Sequence, residues 1–189
     1  MQPRKSNTMK EQPKEGTHVA RVVGITDLGH QPAFEWLGQQ IESSYKVEIT
    51  YELTNSLMED GRPFHVSEQI TNSDNIKSTL RIRAESIGAD INHLESFLGK
   101  PCSVTVKHND KGYANVKGQA AVGGIPSGMP VPPLQNPKYL FEIDQPDMDL
   151  WDKMPEFRQK KILSGLDLEK TELGQQLLKR GVSLEKEES

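Results

Sequence analysis

From Tyr45 to Leu53 the chain alternates with a period of two residues. Tyr45, Val47, Ile49, Tyr51 and Leu53 fall on one side of an extended backbone, and Lys46, Glu48, Thr50 and Glu52 on the other. A helix would scatter both sets around its circumference, so the run reads as a strand with one core face and one wet face. Neighbouring segments repeat the signal. GTHVARVVGITDL (16–28) is dominated by β-branched residues, with Gly24 placed where a bend or bulge would fall. PFHVSEQI (63–70) follows an Asp60-Gly61 reversal, and its Pro63 is tolerated because an opening or edge position need not donate to the ladder. PCSVTVKH (101–108) points Cys102, Val104 and Val106 one way, and after an Asn109-Asp110 reversal KGYANVKGQAAV (111–122) reads as the last strand.

Between Asp74 and Leu98 the strand signal disappears. Ser73 or Asp74 is placed to cap a helix whose stripe is Ile76, Leu80, Arg83 and Ile87, and a second short helix, INHLESFLG, ends at Gly99. Three strands, a helical insertion and a two-strand hairpin are the order of a five-stranded Greek-key barrel with its helix between strands three and four, the OB-fold. A small sandwich would supply the strands but does not call for a helix there. The expected class is therefore mainly β, with a flexible arm over 1–15, the OB-fold domain over 16–122, a Pro/Gly-rich linker over 123–138 and an acidic-aromatic segment with short C-terminal helices over 139–189.

Composition excludes several classes. A length of 189 residues with 34% hydrophobic content suits one modest core with polar appendages. A net charge of -4 is unlike a histone-type polycation. No apolar run approaches the roughly 20 residues needed to cross a bilayer, and MQPRKSNTMK lacks the apolar centre of a secretion signal, so a cytoplasmic protein that does not enter membranes is expected. The lone Cys102 has no disulfide partner within the chain and no zinc-type spacing around it, and reads as a buried strand residue. GxxxxGK[ST], HExxH and GxSxG motifs are absent and the five histidines are dispersed, so neither catalysis nor a cofactor is expected.

OB barrels bind single strands on the face of strands two and three and with the loops joining strands one to two and four to five, using rings for base stacking and cations for phosphates. Suitable residues sit in those places. The first loop holds His30, Phe34 and Trp36; strand three begins beside Arg62 and carries His65; the helix adds Lys77 and Arg81; the last hairpin holds Lys107, Lys111, Tyr113 and Lys117. Each has a structural competitor. Phe34 and Trp36 could plug one end of the barrel, Tyr45 and Tyr51 share the parity of Val47 and Ile49 and read as core, and the lysines could simply be solvated. Glu48 and Glu52 would repel phosphate along strand two unless the nucleic acid runs over the loops or the C-terminal segment packs on that face. In that segment Asp144, Asp147, Asp149 and Asp152 interleave with Phe141, Trp151 and Phe157. Its charges could mimic phosphates and its rings bases, in an autoinhibitory or partner-recruiting role, or it could cap the barrel as structure.

The run LTNSLMEDGRPFHVSEQIT, followed by IKSTLR, LGKPCSVTV and GYANVKG, resembles a group of bacteriophage OB-fold proteins described as single-stranded DNA-binding proteins. The resemblance covers about residues 16–122. After KSTLR those proteins commonly continue with a Trp-Arg-Gly-rich segment, where this chain reads IRAESIGADINHLESF. The resemblance implies sequence-tolerant binding of single-stranded DNA in phage replication or recombination, in the host cytoplasm and without a cofactor. The partners expected are single-stranded DNA, with RNA as an alternative, and replication or recombination proteins, with a homo-oligomer left open. The competing expectation is a protein-interaction module that binds a phage or host partner through the barrel or the acidic-aromatic segment.

Overall fold

A computed structural model describes residues 10–120 and 130–184; residues 1–9 of the expected arm, the expected end of the last strand at 121–122 and residues 123–129 of the expected linker lie outside the described residues. The protein is mainly β. Strands β1 (Gly16–Gln31), β4 (Ser44–Leu57), β5 (Pro63–Thr71), β6 (Pro101–His108) and β7 (Ala114–Ala120) form an antiparallel sheet in the order β5-β4-β1-β6-β7. Where the sequence predicts a plain first loop, β2 (Phe34–Trp36) and β3 (Gln39–Ile41) form a separate hairpin. A further strand absent from the sequence-based expectation, β8 (Tyr139–Phe141), runs parallel to β1. The helices are α1 (Thr79–Ile87), α2 (Met148–Lys153), α3 (Glu156–Leu163) and α4 (Glu172–Lys179).

β1 serves three partners because two register shifts, between Val22 and Gly24 and between Asp27 and Gly29, bend it. Its first part pairs with β6 over Gly16–Arg21, and beyond the bend β8 takes over the same edge at Gly24–Thr26. Among the described residues β5 and β7, at the two ends of the path, form no backbone ladder with each other, so the sheet as described is not a closed barrel. Side chains span the gap instead. The Tyr51 hydroxyl lies 2.6 Å from Glu68 Oε1 of β5 and 2.7 Å from Gln119 Oε1 of β7. Arg83 of α1 donates to both Glu68 oxygens, and Gln119 Nε2 donates to Ser86 Oγ. Burial, together with the nearby Glu68 carboxylate, pushes the Tyr51 pKa well up and keeps its proton in place.

Two cores result. One lies within the curved sheet, around Val22, Ile49, Tyr51, Leu53, Phe97 and Val104. Cys102 belongs to it, and burial pushes its thiol up to about 12, as expected of a structural cysteine. The other, around Leu28, Phe141, Trp151, Ile162, Leu173 and Leu177, joins the C-terminal helices to β1.

Three local expectations are corrected. The cap of α1 is Ser78, whose Oγ accepts from Arg81 N–H, because Ser73 and Asn75 are spent in a preceding turn; Ile76 is therefore left exposed. INHLESFLG forms only a single 3-10 turn, Leu94–Phe97, that buries Phe97. Residues 10–15, expected to belong to a free arm, are tied to the sheet: Gln12 accepts from Ala114 N–H, Glu15 from His108 N–H, and Pro13 O lies 2.8 Å from His108 Nε2.

Gly24 does more than bend a strand. A Cβ there would stand 2.0 Å from Cζ of Tyr139, whose ring crosses β1 so that its hydroxyl reaches Thr50 at 2.9 Å. Gly24→Ala is expected to cost about 1–3 kcal/mol in urea unfolding through overpacking. Combining it with Tyr139→Ala should cost less than the sum of the single changes, since the smaller residue removes the clash.

Candidate functional site

The polar face of β4, where the sequence-based expectation places a ligand, is covered by the chain itself. Glu48, Thr50 and Glu52 are all buried, although they occupy the polar side of the alternation. A strap and α3 account for this. In the strap, residues 131–138, Pro132, Pro133 and Pro137 have no N–H, so its free carbonyls need donors and its few N–H groups need acceptors. Arg21 supplies the donors, to Pro132 O at 2.8 Å and Val131 O at 3.0 Å. Glu52 supplies the acceptors, for Gln135 N–H at 2.6 Å and for Asn136 N–H and Nδ2 at 3.2 and 2.8 Å. Further along, Arg158 of α3 donates to Glu48 and lies 3.5 Å from Thr50 Oγ1. The repulsion that Glu48 and Glu52 would exert on phosphate is thus met by the C-terminal segment packing over them.

The acidic-aromatic residues of that segment are mostly structural. Phe141 and Trp151 are buried in the second core with ring centroids 6.0 Å apart. Asp147 caps α2, accepting from Asp149 and Leu150 N–H, and Asp152 pairs with Arg180 at 2.8 Å. Asp144 and Asp149 are exposed, as is Phe157, against which the Arg158 guanidinium rests. Its core rings are not free to mimic bases or to recruit a partner.

The remaining predicted residues divide between spent and bare. Arg62 pairs with Asp60, and His65 Nε2 lies 3.2 Å from Glu52 within the strap contact. Arg81 donates through Nε and Nη2 to Asp74 O. Lys77 is exposed beside the start of α1. Lys107, Lys111, Tyr113 and Lys117 are exposed around the β6–β7 turn, where Asn109 Oδ1 accepts from Lys111 and Tyr113 N–H and so shapes the loop.

The β2–β3 hairpin is the most exposed apolar feature. Phe34 and Trp36, two apart on one strand, share a face and are 48% and 63% exposed, which excludes the expected alternative that they plug the barrel. Leu37 and Gly38 form its two-residue loop with φ of 50° and 75°, the positive pair of a type I′ turn, and Leu37 is 88% exposed. At the hairpin's foot His30 and Tyr45 face each other across β1 and β4, ring centroids 4.7 Å apart and planes 15° from parallel. His30 Nδ1 lies 3.1 Å from Asp167. Tyr45, read from parity as core, is 55% exposed, because the inner core ends at Val47 while β1 shifts register between Asp27 and Gly29. The alternation gave no signal for this, nor for the Arg158, Arg21 and Asp167 contacts, which join residues distant in the chain.

Comparison with protein-family models, with curated proteins and with solved structures finds no match to this chain.

Two outcomes test the covering layer. Arg158→Met, which strips the buried Glu48 of its cation and leaves it the hydrogen bond from Gln69, is expected to lose about 3–5 kcal/mol in urea unfolding, and the Glu48→Gln, Arg158→Met double variant less. Burial raises the Glu52 carboxyl, but the N–H of Gln135, the side chains of Asn136 and His65 and the N–H of Asn136 outweigh it and hold the pKa below the ordinary value. A depressed folded pKa stabilises above the unfolded value and is lost as pH falls through the folded one. Acid unfolding of Glu52→Gln should therefore show a weaker loss of stability in that window than the parent chain.

Proposed function

We propose that the chain is an OB-type single-stranded DNA-binding protein that contacts its ligand with loops rather than with the open sheet face. The observation that carries this reading is the apolar hairpin tip. Leucine in a left-handed turn is disfavoured by about 1–2 kcal/mol, and asparagine or glycine is the usual choice there. A strained, exposed Leu37 beside exposed Phe34 and Trp36 is unfavourable for folding and reasonable for inserting between or stacking on bases. Supporting it are the strand order β5-β4-β1-β6-β7 with α1 between β5 and β6, which follows the OB plan, and the likeness of 16–122 to the phage proteins. In that plan the ligand loops are the β2–β3 hairpin and the β6–β7 turn, where Tyr113 and three exposed lysines add a ring and cations. A role in phage replication or recombination follows from the same likeness.

The expected result is salt-sensitive binding of oligo(dT) with quenching of Trp36, the exposed tryptophan, while Trp151, 6% exposed, stays silent. Trp36→Ala should weaken affinity by about five-fold to a hundred-fold, the worth of one stacked base. Leu37→Asn should raise thermal stability and lower affinity. A folded chain that does not shift oligo(dT) even at low salt, yet retains a protein partner after nuclease treatment, would favour an interaction module instead.

A further inference from the structure

Resting on that reading, we propose that the cleft at the foot of the β2–β3 hairpin, between the sheet and the C-terminal helices, is a subsite for one unstacked nucleobase, with Tyr45 as its stacking surface and the phosphates left outside. The cleft has a volume of about 350 Å³. One wall is His30 and Tyr45 of β1 and β4; the other is Ile162, Gly165, Asp167 and Lys170 of the C-terminal segment. This is the lower end of the range for small-ligand sites, of order 300 to 1,000 Å³, and suits a single ring system.

The platform is held in place before any ligand arrives. Lys170 Nζ donates to Asp167 Oδ1 at 2.7 Å, Asp167 Oδ2 lies 3.1 Å from His30 Nδ1, and the His30 ring lies nearly flat against Tyr45. Hydrogen bonds from Lys170 and His30 keep the Asp167 carboxyl below its usual range and therefore ionised. His30 covers one side of the Tyr45 ring, yet more than half of the tyrosine is exposed. A ring so fixed loses little freedom on stacking, which favours binding. The charge of the lining selects the moiety. Asp144 and Asp167 set two carboxylates against the single ammonium of Lys170, and Asp144 has no hydrogen-bond or ion-pair partner among the described residues. Such a lining repels phosphate and offers acceptors to a base edge. His30 and Tyr45 flank the β2–β3 hairpin in the chain, so a strand stacked on Phe34 and Trp36 would lead its neighbouring nucleotides toward the cleft.

The test is a titration of the full chain with labelled oligo(dT) across salt concentrations, for the parent, Tyr45→Phe and Tyr45→Leu, joined to photocrosslinking of the parent to an oligonucleotide carrying iodinated uracil. Tyr45→Phe should bind like the parent. Tyr45→Leu should lose about five-fold to a hundred-fold in affinity while the slope of log affinity against log salt stays unchanged, the signature of a lost base contact rather than a lost phosphate contact. Crosslinked peptides should include Tyr45 or His30. Parent-like affinity of Tyr45→Leu, a reduced salt slope, or crosslinks confined to the hairpin would overturn the subsite. If in that case the Trp36→Ala variant still loses affinity, the single-strand reading stands without it; if the parent binds no oligonucleotide at low salt, both fall. Should Tyr45→Leu fail to fold, the crosslink on the parent decides.

Discussion

The covering of the outer face of β4 is the constraint on which the rest of the structure depends. A strand in a small curved sheet needs one buried face, and β4 has two: Val47, Ile49, Tyr51 and Leu53 inside, and Glu48, Thr50 and Glu52 outside. Burying two carboxylates is costly unless each is paired and hydrogen-bonded. Arg158 answers Glu48, and the N–H groups of the strap answer Glu52. The covering layer must then be held in register, which the second core and the pairing of β8 with β1 accomplish. At Gly24 the two layers approach so closely that any larger residue would displace the Tyr139 ring.

This arrangement redirects where a ligand could be met. With the sheet face sealed, exposed rings remain at the β2–β3 hairpin, at the cleft at its foot and at the β6–β7 turn, the last of which also carries exposed lysines. The covering segment also supplies one wall of that cleft, so the same residues that close one surface build another. Phe141 and Trp151 are committed to packing, and the segment lies on the sheet as a second layer.

Much of the fold was legible in the chain. Period-two alternation located β4, β5 and β6, the Asp60-Gly61 and Asn109-Asp110 reversals located the turns, and the helical insertion fell where α1 lies. These are local properties: side-chain direction repeats every two residues in a strand, and turn residues follow from backbone sterics. Composition likewise marked Phe34 and Trp36 as loop aromatics, although only the structure shows them exposed rather than folded inward.

The sequence by itself determined where β1, β4, β5, β6 and β7 lie along the chain, the alternation of β4 and the presence of rings and cations in the loops, because each depends on residues close together in the chain. Tertiary structure alone decided which polar face would be buried. It turned Glu48 and Glu52 from a repulsive track into the anchors of Arg158 and the strap, partners more than 80 residues away. It also turned Tyr45 out of the core at a register shift and set it beside His30 and Asp167. Parity along one strand cannot report where the core ends or what another part of the chain will lay across it, since both are settled by contacts between distant segments.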